Sequence, residues 1–174
     1  MSGGVGPPLQ IPPNSDLTLG MVCVDKAVAG CTTWTMRADE RFANPAGVVQ
    51  GGFLAALCDS AMSAAALTAT RGGPAPQSLV TTDLSASFLA PVPLGSSLTC
   101  EAVVVGRGSR VAFVEATVRD PQGTLFVRAR ATVLYGPPRP ETHPVLAARE
   151  PSGEDGEQPG PGRGPGSDEE RFGR

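Results

Sequence analysis

The residue of this sequence whose type and setting most clearly suggest chemistry is Asp59. It is the single charged residue in a run from Phe53 to Thr70 whose other residues are apolar or small and polar. A helix that is apolar nearly all round is a buried helix, and a carboxylate inside it is costly to bury without partners. We expect Asp59 either to be hydrogen-bonded by the backbone or a strand side chain, or to act in catalysis. The pattern by itself favours neither.

A second candidate site is the start of this helix, where Gly51 and Gly52 follow a loop that contains Asn44. Free backbone N–H groups and the positive helix end would suit a polarised carbonyl or a developing oxyanion there. The simpler interpretation is that the glycines only let the helix approach the sheet closely. No Lys-Ser or Lys-Thr pair follows them, so the stretch is not a phosphate-binding loop.

Gly51 and Asp59 cannot serve one bound carbonyl from the same helix. They are eight residues apart, and this spacing corresponds to about 12 Å along a helix axis. Two antiparallel helices that meet at a twofold axis would bring the helix start of one subunit to Asp59 of the other. A site that uses both residues is therefore expected to be shared between subunits.

The residue types disfavour several other kinds of catalytic site. The only histidine, His143, lies in the C-terminal segment, so no Ser-His-Asp set is expected. The four cysteines, Cys23, Cys31, Cys58 and Cys100, show no metal-binding or redox spacing. We interpret them as free thiols, and Cys58 as a buried structural thiol rather than a nucleophile. We therefore expect no metal and no bound cofactor.

Charge and hydropathy argue against nucleic acid and membranes as partners. Residues 138–174 hold eight acidic residues and five arginines, which account for the net charge of −3 and leave residues 1–137 balanced. A neutral core does not suit a nucleic-acid-binding surface. The first thirteen residues lack the basic and apolar regions of a signal peptide, and polar residues interrupt the helix at 53–70, which disfavours a membrane span. We expect a cytoplasmic protein.

The elements that position these residues follow from periodicity and turn signals. The pattern predicts two strands, a helix and four more strands, joined mostly by tight turns. The predicted strands are 17–28, 31–37, 79–90, 97–105, 110–119 and 125–135, and the predicted helix is 53–70. This is an α+β fold, with one antiparallel sheet of about six strands against one buried helix. One helix covers one face of such a sheet, so the other face or an edge is expected to meet a second subunit.

Two details of these strands carry expectations of their own. Alternation in the strand at 79–90 predicts one face formed by Val80, Thr82, Leu84, Ala86 and Phe88. A turn at Ala29-Gly30 would place Cys23 opposite Met36 and would leave Cys23 and Cys31 unbridged.

Composition divides the chain into three segments. Residues 1–16 are expected to be a flexible N-terminal lead, and residues 17–137 the folded domain. Residues 138–174 form a tail dominated by proline, glycine and acidic residues. Such a tail buries too little apolar surface to offset its ordering entropy, so we expect it to be disordered.

A combination of motifs between about Leu17 and Tyr135 resembles the PaaI-like group of hotdog-fold thioesterases. Asn44 lies six residues before the triplet Gln50-Gly51-Gly52, and Asp59 lies eight residues beyond Gly51. The further matches, in order, are 80–84 (VTTDL), 88–91 (FLAP), Gly95, Gly106-Arg107, Asp120 with Gly123, and 129–132 (ARAT). The resemblance implies a curved antiparallel sheet wrapped around the helix. It also implies dimers with a continuous sheet that often pair again into tetramers, and hydrolysis of acyl-CoA thioesters at the subunit interface.

The resemblance also implies roles for individual residues. Asp59 corresponds to the catalytic carboxylate, which acts as a base on water or as a nucleophile. The Gly51 N–H corresponds to the group that polarises the thioester carbonyl, and Asn44 to a residue that orients water or the carbonyl. Ser63 and Thr81 match positions that assist the carboxylate or the water in some members.

The remaining substrate-binding candidates are less clear-cut. Gln50 stands where many relatives have histidine; it can hydrogen-bond but cannot titrate, so a histidine-assisted mechanism is not expected. Gly52 continues the glycine pair at the helix start. Arg107 and Arg110 are candidates for the phosphates of the ligand, although each alone is more simply explained as a solvated surface charge.

These observations predict a cytoplasmic, homo-oligomeric acyl-CoA thioesterase, a dimer or a tetramer, that needs no metal or cofactor. The alternative is a non-catalytic hotdog module that binds acyl-CoA or has a structural role in an assembly. The sequence leaves open the acyl group, and it leaves open whether CoA or a carrier protein holds the thioester.

Overall fold

The computed structural model describes residues 13–72 and 78–136. Within these residues the helices are α1 (Asn14–Leu19) and α2 (Gly51–Thr68), and a 3-10 turn lies at Glu40–Phe42. The strands are β1 (Val22–Asp25), β2 (Cys31–Arg37), β3 (Ser78–Phe88), β4 (Ser97–Arg107), β5 (Val111–Arg119) and β6 (Leu125–Gly136). The order of strands around one long helix is the order that the sequence predicts.

The six strands form one antiparallel sheet in the order β1-β2-β4-β5-β6-β3. The sheet curves around α2, which contacts β2, β3, β4, β5 and β6. The α+β hotdog arrangement expected from the sequence is therefore confirmed. β3, which follows the helix, is an edge strand, and within the described chain it pairs only with β6.

Helix α2 is the core of the fold because its side chains are small and apolar on most sides. Leu57, Cys58, Ala61, Met62 and Ala65 are fully buried against the inner face of the sheet. By length and composition alone this helix could cross a membrane, so its interrupting polar residues do not by themselves decide the question. Its packing against five strands is that of the core helix of a folded domain.

The N-terminal part of the domain differs from the prediction. Residues 17–19, expected to be extended, belong to α1, which begins at Asn14 and ends where Gly20 takes a left-handed conformation with φ 65°. Asp16 is only 2% exposed, and its Oδ1 accepts a hydrogen bond of 2.8 Å from Ser60 Oγ on α2. The domain thus includes residues 14–16, which the sequence assigned to the flexible lead. The rest of that lead, and the predicted tail from residue 138, lie outside the described residues.

The register between β1 and β2 also differs from the prediction. The connection is the five-residue segment 26–30 rather than a two-residue turn, so Cys23 lies opposite Trp34 and not opposite Met36. The prediction that Cys23 and Cys31 are not bridged is still confirmed, because both are free thiols.

The largest correction concerns β3. Its register against β6 shifts between Thr81 and Asp83, so Thr82 is an extra residue in a β-bulge. A bulge of this kind reverses which side chains face inward. Before it, Leu79 and Thr81 are turned toward the helix, and after it, Leu84, Ala86 and Phe88 are. Alternation predicted that Val80 and Thr82 share a face with Leu84, Ala86 and Phe88. That prediction is wrong for Val80 and Thr82, which face away from the helix.

Candidate active site

Asp59 lies in the middle of α2 with its carboxylate turned toward β3. It is partly exposed, and its Oδ1 accepts a hydrogen bond of 2.7 Å from Thr81 Oγ1. The bulge at Thr82 allows this hydrogen bond, because Thr81 then lies on the helix side of the strand together with Leu84 and Ala86. The sequence left two interpretations of Asp59 open, a carboxylate whose hydrogen bonds are satisfied by the backbone or a strand side chain, and a carboxylate that acts in catalysis. The structure supplies the strand partner for one of its two oxygens.

Ser63 extends this contact into a directional chain of hydroxyl groups. Its Oγ lies 3.3 Å from Thr81 Oγ1. The Thr81 hydroxyl has one hydrogen, and it donates that hydrogen to Asp59. Ser63 must therefore be the donor to Thr81, and the order is Ser63 to Thr81 to Asp59. Within the described residues Asp59 Oδ2 has no protein hydrogen-bond donor, so this oxygen is available to water or to a ligand.

A pocket of about 440 Å³ opens beside Asp59. Its remaining lining is mostly small or polar and comes from the first turns of α2 and from the bulged part of β3: Gly52, Ala55, Ala56, Thr81, Thr82, Asp83 and Leu84. Sequence reasoning missed Asp83, whose exposed carboxylate stands at the same pocket. The signal was the run Thr81-Thr82-Asp83, in which three polar residues in succession break the apolar alternation.

The start of α2 offers free backbone donors. Gln50 is the N-terminal capping position, but its side chain makes no capping hydrogen bond. Its backbone N–H donates to Phe42 O at 2.7 Å, and its carbonyl accepts from Phe53 N at 3.0 Å. The N–H groups of Gly51 and Gly52 have no acceptor inside the helix, and no other described residue provides one. The helix end is therefore suited to an external oxygen.

Gly51 is also in close contact with the Phe88 side chain. A Cβ at this position would lie 3.0 Å from Cζ and 3.2 Å from Cε1 and Cε2 of Phe88. A Cβ at Gly52 would meet nothing within 4 Å. The simpler interpretation of the glycine pair, close approach to the sheet, thus holds for Gly51, and it is compatible with a role for the Gly51 N–H because the two involve different atoms.

Asn44 shapes the loop that faces this helix start. Its Oδ1 accepts from the N–H groups of Ala46 at 2.9 Å and Val48 at 3.3 Å. The side-chain oxygen is thus used within the loop, and the amide NH₂ is the part that can donate to a ligand. Asn44 and Gly51 line one pocket of about 390 Å³, together with Val49, Leu54, Phe88, Leu89, Ala90, Pro91 and Val92.

Within one chain the structure does not bring Gly51 and Asp59 into one site. Gly51 belongs to the pocket with Asn44, and Asp59 belongs to the pocket beside β3. Both are on α2, eight residues apart, which is about 12 Å along the axis. Each pocket therefore holds half of the chemistry that the sequence assigned to the site.

The two arginine candidates lie at or near the opposite end of the domain. Arg107 Nη1 donates to Ala69 O at 2.6 Å, just past the last turn of α2, and its guanidinium lies 5.6 Å from the ring centroid of Tyr135. A cation here satisfies a terminal carbonyl and the negative helix end. Arg110 is exposed in the turn between β4 and β5. Neither lines the pocket of Asn44 or that of Asp59 in this chain.

The cysteines next to the site are structural in their surroundings. Cys58 and Cys100 are both fully buried. Contact with the Cys58 thiol, followed by burial, raises the pKa of Cys100 far above its usual value, so that thiol stays neutral. Among residues 13–72 and 78–136, no three His, Cys, Asp or Glu side chains cluster as metal ligands would.

Comparison with known proteins supports the fold and the class of enzyme. The thioesterase superfamily matches residues 46–127, a range that holds Gly51, Asp59 and Thr81. Human acyl-coenzyme A thioesterase 13 is 28% identical over 124 residues, which are 71% of this chain and 86% of that protein.

Two solved structures extend this agreement. The phenylacetic acid degradation-related protein of Ralstonia eutropha JMP134 is 33% identical, and the match covers 70% of this chain and 89% of that one with a TM-score of 0.61. The PaaI protein of E. coli covers 72% of this chain and 86% of its own with a TM-score of 0.65, and at 20% identity it shows the fold alone. Sequence and fold thus agree that this chain belongs to the thioesterase superfamily, as a hotdog protein homologous to acyl-CoA thioesterases.

Proposed function

We propose that this protein hydrolyses acyl-CoA thioesters to the free acid and CoA at a site shared by two subunits. The observation that carries the proposal is the state of Asp59. One oxygen of this partly buried carboxylate is held by Thr81, the other has no protein donor in the described chain, and an open pocket of about 440 Å³ lies beside it.

Two routes fit this carboxylate. In the first, Asp59 takes a proton from a water molecule as the water oxygen bonds to the thioester carbon. In the second, Asp59 Oδ2 itself bonds to that carbon, and water later cleaves the anhydride. In both routes the carbon–sulfur bond breaks and the CoA thiolate leaves, and the charge that develops on the carbonyl oxygen is stabilised by the Gly51 N–H. In this proposal the amide NH₂ of Asn44 orients the carbonyl or the water.

The separation of the two half-sites supports a subunit interface. The Asn44–Gly51 pocket supplies donors for a carbonyl oxygen but no base, and the Asp59 pocket supplies a base but lacks the Gly51 N–H. β3 borders the Asp59 pocket and is an edge strand, which could pair with β3 of a second copy. In that dimer Gly51 of one subunit would face Asp59 of the partner subunit, and further pairing would give a tetramer.

Other parts of the proposal concern the ligand and the setting. Gln50 is exposed at the helix start and Gly52 lines the Asp59 pocket, so both could contact the substrate. Arg107 and Arg110 could meet CoA phosphates of a site completed by the other subunit. The protein is proposed to act in the cytoplasm, and a carrier-protein thioester would fit the same chemistry as a CoA thioester.

The test is thiol release from a panel of short, medium, long and aromatic acyl-CoAs by wild type, Asp59→Asn and Asp59→Ala. A general base or nucleophile contributes at least ~10²-fold, so both variants should lose most of kcat and keep the wild-type oligomer size. Asp83→Asn is the matched control. It removes a carboxylate that lines the same pocket but makes no hydrogen bond to Thr81 or Ser63, so the loss of kcat should be much smaller. Near-normal kcat in Asp59→Ala would refute the assigned role.

The alternative function is acyl-CoA binding without catalysis. What favours it is the helix start, where Gln50 replaces a titratable group and the side-chain oxygen of Asn44 is engaged in its own loop. A wild-type protein that binds acyl-CoA and releases no thiol across the whole panel would establish this alternative.

A further inference from the structure

The rim of the Asn44–Gly51 pocket carries two large apolar side chains in water. Phe88 and Leu89 are 51% and 53% exposed, side by side at the end of β3. Adjacent exposed apolar groups at a pocket mark a surface that a ligand or partner covers. The floor below them is apolar and buried, with Val49, Leu54 and Val92 each at most 5% exposed.

The lining of this pocket limits the chemistry of what it can hold. No charged side chain is among the residues that line it. Two of the polar groups on its lining residues are donors without an acceptor among the described residues, the Gly51 N–H and the Asn44 amide NH₂. A charged group on the acyl chain would lose its hydration there without gaining a counterion. The pocket therefore suits an acyl group that is neutral and apolar, with its carbonyl at the donors.

The ring of Phe88 lies against Gly51, beside those donors. The far edge of its ring lies so close to Gly51 that a Cβ there would be 3.0–3.2 Å from three ring carbons. The backbone that carries the ring is fixed, because the next N–H, of Leu89, donates to Phe126 O at 2.8 Å. The floor of the pocket is tied together by a hydrogen bond of 3.0 Å from Val49 N to Val92 O.

We infer that Phe88 is a specificity-determining residue: its ring narrows the pocket beside the Gly51 N–H and limits the size of the apolar acyl group that fits there. The inference rests on the proposed function, since it places the acyl group of that reaction in the Asn44–Gly51 pocket. The upper size limit of the acyl group is thereby assigned to one side chain, which makes no contact with Asp59, Thr81 or Ser63.

The test measures binding of S-alkyl-CoA thioethers, which keep the acyl chain length but cannot be hydrolysed. Dissociation constants for short, medium, long and phenyl-bearing thioethers are measured by calorimetry for wild type and Phe88→Ala. A size change in an apolar pocket discriminates ligands by roughly 10- to 200-fold. Phe88→Ala should therefore shift the tightest binding to a larger chain and change the ratio of large to small ligand by about tenfold or more.

Phe113→Ala is the matched control. Phe113 is also a phenylalanine on a strand and is 49% exposed, but it lines neither the Asn44 nor the Asp59 pocket. It should keep the wild-type order of ligands. If Phe88→Ala weakens all thioethers by one factor, or leaves the order unchanged, Phe88 is only a packing residue and the inference is wrong. Phe88→Leu serves as a milder variant that should give a smaller shift in the same direction.

A second pair of variants tests the contact itself. Gly51→Ala places a methyl group against the ring and should weaken binding of every thioether. Phe88→Ala in the same chain removes the ring, so the double variant should bind more tightly than Gly51→Ala alone. Equal binding by these two proteins would mean that the ring does not confine the site at Gly51.

The thioether series separates this inference from the proposed function. Suppose that the wild-type protein binds thioethers, that Phe88→Ala moves the size limit, and that no thiol is released from acyl-CoAs. This result would refute the hydrolase proposal alone. Wild type that hydrolyses acyl-CoAs while its size preference ignores Phe88 would sink this inference alone. Wild type that binds no thioether at all would also overturn the inference.

Discussion

Replacing Thr81 by valine removes one hydroxyl from the centre of the proposed site and keeps the shape of the side chain. In the wild-type protein that hydroxyl donates to Asp59 Oδ1 at 2.7 Å and lies 3.3 Å from Ser63 Oγ. The variant takes from the carboxylate the hydrogen bond that fixes its orientation. It also takes from Ser63 its acceptor.

The size of the effect follows from the contact. A hydrogen bond to a charged group contributes about 1.5–3 kcal/mol. Asp59 and Thr81 are both partly exposed, so water can replace part of the bond and the lower end of the range applies. A difference of about 1.4 kcal/mol is tenfold in rate. We expect Thr81→Val to lower kcat by about tenfold, with a much smaller change in KM because Thr81 orients the carboxylate.

The assay is thiol release from the best acyl-CoA of the panel, with Thr81→Ser as the control that keeps the hydroxyl. Thr81→Ser should recover most of the lost kcat. Thermal unfolding, followed by fluorescence of the only tryptophan, the buried Trp34, shows whether each variant is folded at the assay temperature. Wild-type kcat in Thr81→Val, or equal losses in both variants, would refute the reasoning that the hydroxyl positions Asp59.

Two further predictions address the interface and the N-terminal helix. A mixed dimer of Asp59→Ala subunits and subunits with a bulky residue at Gly51 (Gly51→Leu) should regain thiol release, because one of its two composite sites is intact; heterodimers as inactive as their parents would mean that Gly51 and Asp59 do not act across the subunit interface. Asp16→Ala should lower the free energy of unfolding by about 1–3 kcal/mol, measured by denaturant titration, because it leaves the Ser60 hydroxyl without its buried acceptor. Asp83→Ala, at an exposed position whose side chain makes no hydrogen bond within the described residues, is the control, and equal stability of the two variants would contradict a structural role for Asp16.

Much of the fold could be predicted because its signals are local. The helix, the order of the strands and the turn at 120–123 follow from small-residue composition, alternation and turn residues within a few positions of each other. The turn is formed as expected, with Gly123 N donating to Asp120 O at 3.0 Å. The candidate site residues Asp59 and Gly51 could be selected for the same reason, as a lone charge and a member of a glycine pair in an apolar helix.

The features that could not be predicted from the sequence depend on contacts between segments far apart in the chain. Helix α1 is held by a hydrogen bond from Ser60 to Asp16, across 44 residues, and six residues are too few to show a helical period. The register of Cys23 depends on the length of the connection at 26–30. The packing of Phe88 on Gly51 joins a strand end to a helix start, and no pattern within either segment indicates it.

The bulge at Thr82 explains why both halves of the site can be served by one strand. Thr81 and Phe88 are seven residues apart, an odd spacing, so in a regular strand they would face opposite sides of the sheet. The extra residue reverses the alternation between them. Thr81 can then reach Asp59 in the middle of α2 while the Phe88 ring lies on Gly51 at its start. A regular strand could hydrogen-bond to Asp59 or place the Phe88 ring on Gly51, and the bulged strand does both.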